Sequence, residues 1–214
     1  MKWLLFCSIV FCKFYFSAQT HNFDEDSIQF YFMEYLDEYR NELYPGIPKL
    51  LISPASSNAC RHHNEFLRDV QEKNGTIYLT HDEFYSKDGR KYKGTDTIID
   101  YYMERVNYYN TDNDFGPVCE VIALFVLCLE DTNGVTNFIT PYMTNKKLGW
   151  KMLEIFKGSE KHNKIISGYK YNMVAVDVSI LNGFIFCTMV TGQKFEHVDG
   201  KIITTKNSDI YKND

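Results

Sequence analysis

GSEKHNKIISGYKYNMVAVDV, Gly158 to Val178, is the stretch whose reading decides the fold. It opens on a turn-like Gly-Ser-Glu-Lys, presents His162, and closes on the alternation Met173-Val174-Ala175-Val176-Asp177-Val178. Val174, Val176 and Val178 are β-branched and two apart, so they give a strand one apolar face. A histidine in a turn just ahead of such a strand is held by the sheet behind it, which suits a ligand or a hydrogen-bonding group. Beyond it, Asn182-Gly183 is a two-residue hairpin signal and Phe184 to Val190 reads as the returning strand.

Upstream the period changes to that of helices. Ile28, Phe32, Leu36, Tyr39 and Leu43 make one apolar stripe over Asp24 to Leu43, with Asp24, Glu25 and Asp26 at its start and Pro45-Gly46 as its stop. Lys49 to Ile52 is a short apolar connector. Ser53-Pro54 then pairs a capping residue with a first-turn proline and opens a second helix, with Ala55, Ala59, His62, Phe66 and Val70 on one face and an end by Asn74-Gly75. Thr97 to Tyr109 reads as a third helix, with Ile98, Ile99, Tyr102, Val106 and Tyr109 inward. Lys146 to Lys157 reads as a fourth, with Leu148, Met152, Ile155 and Phe156 on one side. Residues 130–145 read as loop, and Glu196 to Asp214 as a polar tail. Helices and strands segregated in this way predict an α+β fold.

The 214 residues support one domain, from 24 to 195. Met1 to Ala18 reads as a secretory signal peptide: Lys2 is its basic start and Trp3 to Cys12 its apolar run, too short to span a bilayer. Its removal takes away two lysines and no acid, leaving 21 basic residues against 28 acidic ones, a formal charge of about −7. An acidic chain without a basic patch is a poor nucleic-acid binder. Cys60, Cys119, Cys128 and Cys187 allow two disulfides in an exported domain, or stand as buried thiols. No Cys-x-x-Cys points to structural zinc. Asn74-Gly75-Thr76 is a glycosylation sequon.

Val118 to Leu129, VCEVIALFVLCL, is the most apolar run outside the leader, and its length leaves strand and helix both open. Glu120 is the acid inside it. A carboxylate there costs free energy unless it is paired or hydrogen-bonded, so Glu120 needs an imidazolium, a metal or an opening to water.

Several segments in order resemble the CAP superfamily, the cysteine-rich secretory, antigen-5 and pathogenesis-related proteins, in its bacterial-type members. They are Leu36-Asp37-Glu38-Tyr39-Arg40, Pro48-Lys49-Leu50, Ser53-Pro54, Ala59 to His63, Thr76 to Asp82, Cys119-Glu120-Val121-Ile122-Ala123, and Phe156 to His162 with its Ser-x-x-His. The sequence departs from the pattern at Asp37, where Asn is usual, at Cys119 and Val121 beside Glu120, and at Phe156, where Trp is usual. The resemblance implies an α-β-α sandwich with a three-stranded antiparallel sheet between helical layers. It implies a shallow bowl of His81, Glu120 and His162, with Glu154 as a fourth bowl residue. Two imidazoles and a carboxylate suit zinc or another divalent metal with an open position.

Three functions follow from these residues. The first is a secreted, monomeric, non-catalytic binding or effector module for a lipid, a sterol or an extracellular protein. The second is a metal-dependent hydrolase in which Glu120 activates a metal-bound water between His81 and His162. The third is a degenerate scaffold that acts through its loops. The chain has no Gly-x-Ser-x-Gly and no His-Glu-x-x-His, and the bowl itself supplies no nucleophile.

Overall fold

The computed structural model describes residues 23–74, 79–81, 102–111, 115–130, 136–138, 143–181, 183–198 and 201–204. The expected leader, the Gly75-Thr76 half of the sequon, and Ile98 and Ile99 lie outside the described residues. Asn74 is the last residue of a helix.

In chain order the elements are α1 (Glu25–Leu43), β1 (Leu51–Ile52), α2 (Pro54–Asn74), α3 (Tyr102–Tyr109), β2 (Phe115–Val126), β3 (Cys128–Glu130), β4 (Thr136–Phe138), α4 (Asn145–Gly158), α5 (Glu160–Ile166), β5 (Met173–Leu181), β6 (Phe184–Val198) and β7 (Lys201–Thr204). The main sheet runs β1-β5-β6-β2, with β7 paired to β6. Its centre is three antiparallel strands. Val178 lies opposite Cys187, which lies opposite Ala123. Gly183, at φ +78°, makes the β5–β6 turn in a conformation that favours glycine.

Strand alternation sorts the core into two layers. Val174, Val176 and Val178 of β5 share one face with Val121 and Ala123 of β2 and Ile185, Cys187 and Met189 of β6. That face packs on α1 and α4 through Ile28, Phe32, Leu36, Leu148, Met152 and Phe156. The opposite face, with Met173, Ala175, Ile122, Phe186 and Val190, packs on α2 and α3 through Ala59, Phe66, Leu67 and Val106. The result is an α-β-α sandwich of the α+β class. Each large apolar side chain buried this way contributes about 1.5–3 kcal/mol. The α1–α4 crossing is close: a Cβ on Gly149 would lie 2.6 Å from the Phe32 nitrogen and 2.9 Å from the Ile28 oxygen.

The apolar run after residue 117 is strand, β2. Four expectations need correction. Leu43, on the predicted stripe, is 45% exposed, because α1 outruns its partners and the stripe's last inward position is the fully buried Arg40. The 130–145 stretch carries a strand, since β3 and β4 form a small hairpin. The tail is paired as far as Thr204, because the β-branched run at Ile202 to Thr204 continues the β6 ladder. His162 lies in α5, a seven-residue helix, and not in a turn.

Of the two readings left open for the cysteines, the described thiols take the second. Cys60, Cys119 and Cys187 are free thiols, so no bridge can join any two of the four. Cys60 packs in the α2 layer and Cys187 in the α1 layer, on opposite faces of the sheet. Cys119 sits four residues along β2 from the partner of Cys187, roughly 13 Å at ~3.3 Å per residue. Burial pushes the thiols of Cys60 and Cys187 well up, which keeps them protonated and inert.

Candidate functional site

Glu120 points into the α2–α3 layer, because its neighbours Val121 and Ala123 take the other face of β2. It is 5% exposed. Its Oε2 accepts from Nη2 of Arg105 on α3, and Arg105 is itself buried. Its Oε1 accepts from Nδ1 of His81 at 3.0 Å. Arg105 also reaches His63 of α2, with Nη1 2.9 Å from the imidazole Nδ1. On the other side of that ring, Nε2 meets the Thr80 carbonyl at 2.7 Å. A guanidinium can only donate and a carbonyl can only accept. His63 is therefore neutral, with its proton on Nε2 and its lone pair on Nδ1. Its bond to Thr80 pins the residue that precedes His81, so one buried chain positions both the acid and the histidine.

Burial alone would push the Glu120 carboxyl up. The Arg105 guanidinium, with the hydrogen bond from His81, outweighs it and holds the carboxyl below its ordinary range. Glu120 is thus an ionised group in a dry place, compensated by a cation of equal charge. His81, by contrast, is about half open to solvent, with a side-chain exposure of 47%.

His162 enters from the other helical layer. Ser159 caps α5, and its hydroxyl accepts the His162 N–H at 3.5 Å, which gives Ser-x-x-His a local cause: cap and third helical position. The ring stands edge-on to Phe156 at 5.7 Å between centroids. Partial burial lowers its pKa, and the charge of nearby His81 lowers it further. The structure thus joins His81 to Glu120 directly and sets His162 within electrostatic reach of His81. Glu154 turns elsewhere. It pairs with Lys157 at 2.8 Å, and that ammonium lies 4.8 Å over the Tyr39 ring on α1.

The three-ligand metal centre that the resemblance implies does not match this arrangement. Both Glu120 oxygens are bound within the protein, and a guanidinium occupies the place where a second cation would have to be tolerated. Among the described residues no group of three or more His, Cys, Asp or Glu is placed to hold an ion.

Sequence reasoning identified Glu120 as an acid in need of a partner but missed Arg105 and His63. The available signal was position: Arg105 adjoins the inward Val106, and His63 adjoins the inward His62. Asp37 and Arg40, quoted for the resemblance, prove architectural. Asp37 accepts the Leu50 N–H at 3.1 Å. Arg40 donates to the carbonyls of Ile166, Gly168 and Tyr171 at 3.2, 2.9 and 2.8 Å.

No protein-family profile matches the chain, and no curated protein matches it by sequence. Solved structures do resemble it. An outer surface protein of Borrelia burgdorferi superposes with a TM-score of 0.48 at 11% identity, over 79% of this chain and 93% of that one. An extracellular protein containing an SCP domain, from Bacillus anthracis, gives 0.45 at 11% identity, over 78% of this chain and 41% of its own. A cysteine-rich secretory protein of Staphylococcus aureus gives 0.41 at 10% identity, over 78% and 39%. Likenesses at this level assign neither family nor activity, and what stands is the α+β sandwich itself.

Proposed function

We propose that this chain is an extracellular, non-catalytic binding module of CAP-like type that engages its ligand at the mouth formed by His81 and His162. The observation that supports this reading is the state of Glu120. A carboxylate bound on both oxygens and balanced by a buried guanidinium is an anchor for His81. A general base or a metal ligand has to meet water or an ion, and Glu120, 5% exposed, spends a hydrogen bond from each oxygen inside the protein instead. The ligand classes the reading entails are a lipid, a sterol or an extracellular protein, met by a hydrogen-bonding group at the two imidazoles.

The test is imidazole NMR of the purified protein, titrated in turn with a water-soluble sterol sulfate, with phosphatidylcholine vesicles and with zinc chloride. The reading expects saturable shifts of the His81 and His162 resonances with sterol or lipid, abolished in a His162→Ala variant. Stoichiometric zinc retention together with metal-dependent ester or peptide hydrolysis would replace it with the hydrolase reading. No shift with any probe would leave an interaction scaffold.

A further inference from the structure

α4 turns its buried row, Leu148, Met152, Leu153 and Phe156, onto α1 and the sheet. The opposite side of its first two turns carries Lys146, Lys147, Trp150 and Lys151. Lys146 stands one turn before Trp150 and Lys147 one turn before Lys151, so the four form a single patch. Trp150, within it, is 39% exposed. The Lys151 ammonium lies 4.9 Å from the Trp150 ring centroid, and that of Lys146 6.0 Å from the ring of Tyr31 on α1.

The charge is segregated as well. Residues 145–170 hold seven lysines and two glutamates, a surplus of five positive charges in a chain whose formal net charge is −5. Both glutamates are already taken: Glu154 pairs with Lys157 and Glu160 with Lys164, each at 2.8 Å. Among the described residues no acid lies at ion-pair distance from Lys146, Lys147 or Lys151. The expectation of a chain without a basic patch is corrected by this helix. Lysines interleaved with apolar residues along the sequence come to one side at about 3.6 residues per turn. Local stability does not account for the placement. Lys146 and Lys147 sit in the first turn, which has no acid, and positive charge there opposes the helix dipole.

We propose that this face of α4 docks the protein on an anionic lipid bilayer. The face is convex, while peptide recognition uses a groove or a strand edge. Its cations are all lysine, a residue depleted at protein–protein interfaces and effective as a diffuse charge near anionic headgroups. Trp150 among them has the amphipathic ring that settles at the headgroup level of a membrane. The same surface repels the acidic remainder of the chain, so the contact is oriented. The face shares no residue with the His81–His162 mouth, and its failure leaves that reading untouched.

The test is vesicle flotation of the full chain at low salt. One set of vesicles is phosphatidylcholine alone, and the other is phosphatidylcholine with one quarter phosphatidylglycerol. Binding to the anionic vesicles should be at least tenfold tighter, and half-molar salt should abolish the difference. Each lysine near an anionic surface is worth about fivefold in affinity, so Lys147→Gln should lose about fivefold and the triple change Lys146→Gln, Lys147→Gln, Lys151→Gln roughly a hundredfold. These side chains lie outside the core and the first-turn changes relieve the helix dipole, so circular dichroism should match wild type. Tryptophan emission should shift to the blue on anionic vesicles by an amount that Trp150→Phe removes. Lys49→Glu, a charge reversal beside Glu34 of α1 and away from this face, should weaken binding about twofold at most. Absence of binding to anionic vesicles, equal binding to phosphatidylcholine, or undiminished binding of the triple variant would overturn the proposal. An equal loss in Lys49→Glu would do the same, since net charge rather than this face would then be at work. Tighter binding to soluble polyphosphate than to the vesicles would also overturn it, and would make the face a polyanion site.

Discussion

Glu120 on β2 and Asp177 on β5 enter the same layer, between the sheet and α2, and both are nearly sealed from water, at 5% and 3% exposure. Glu120 is met by charge: a buried guanidinium on one oxygen and an imidazole on the other. Asp177 is met mainly by neutral donors. Asn64 donates to its Oδ2 at 2.7 Å and to its carbonyl at 3.1 Å, Ser179 donates to the same Oδ2, and the Thr188 hydroxyl donates to the Asn64 oxygen at 2.6 Å. The cation Arg61 touches Asp177 from outside, with its side chain 61% exposed. Of the two carboxylates, Glu120 is the one whose network ends in a half-exposed histidine. The Asp177 network has the form of a core element that fixes register across β5, α2 and β6.

The sharpest way to break this contrast is Glu120→Gln. It leaves Arg105 charged and buried without its partner, which should cost about 3–5 kcal/mol in urea unfolding at pH 7. Because the folded pKa of Glu120 is depressed, its stabilisation is full above the ordinary 4.5 and is lost as pH falls through the folded value. The gap between wild type and variant should therefore close on acidification. A gap independent of pH would mean that Glu120 acts as packing rather than as charge.

Asn64→Ala should cost less, about 1–3 kcal/mol, by taking one donor from Oδ2 and one from the carbonyl of Asp177 and leaving the Thr188 hydroxyl without its acceptor. A loss equal to that of Glu120→Gln would erase the distinction drawn here. Arg61→Ala should cost less still, under about 1 kcal/mol, and the effect should fade in added salt, since an exposed guanidinium is screened. The pair inside, Arg105 with Glu120, should be indifferent to the same salt. The smallest effect concerns His162. Its folded pKa lies below the ordinary 6.5, so its contribution to stability is complete above 6.5 and lost as pH falls through the folded value. His162→Gln should flatten that part of the stability profile and leave the acid limb, set by Glu120, in place.

The same contrast explains what the sequence could show. Val174, Val176 and Val178 announced their strand and its buried face, because a period of two is a local property. The helical stripes of α1, α2 and α4 were legible for the same reason. Glu120 was legible as a problem, since an acid in an apolar run must be answered. Its answer was not, because Arg105 lies fifteen residues upstream on another element and only the fold brings them together. Asp177 was hidden in plain view: in an alternating strand it reads as a solvent-side residue, and only α2, laid over that face with Asn64, turns it inward. The cysteines left bridge and buried thiol both open, because only the fold shows that the sheet stands between Cys60 and Cys187. His162 was placed in a turn because Gly158-Ser159 looks like one, and that Ser159 begins a new helix is decided by its cap.

Arg40 binds the carbonyls that end α5 and begin the approach to β5, and α5 is the helix that carries His162. The first helix thus acts as a tether on the segment that carries His162. Damage to that tether, as in Arg40→Met, would displace His162 without altering the histidine itself, a fault lying entirely in the scaffold.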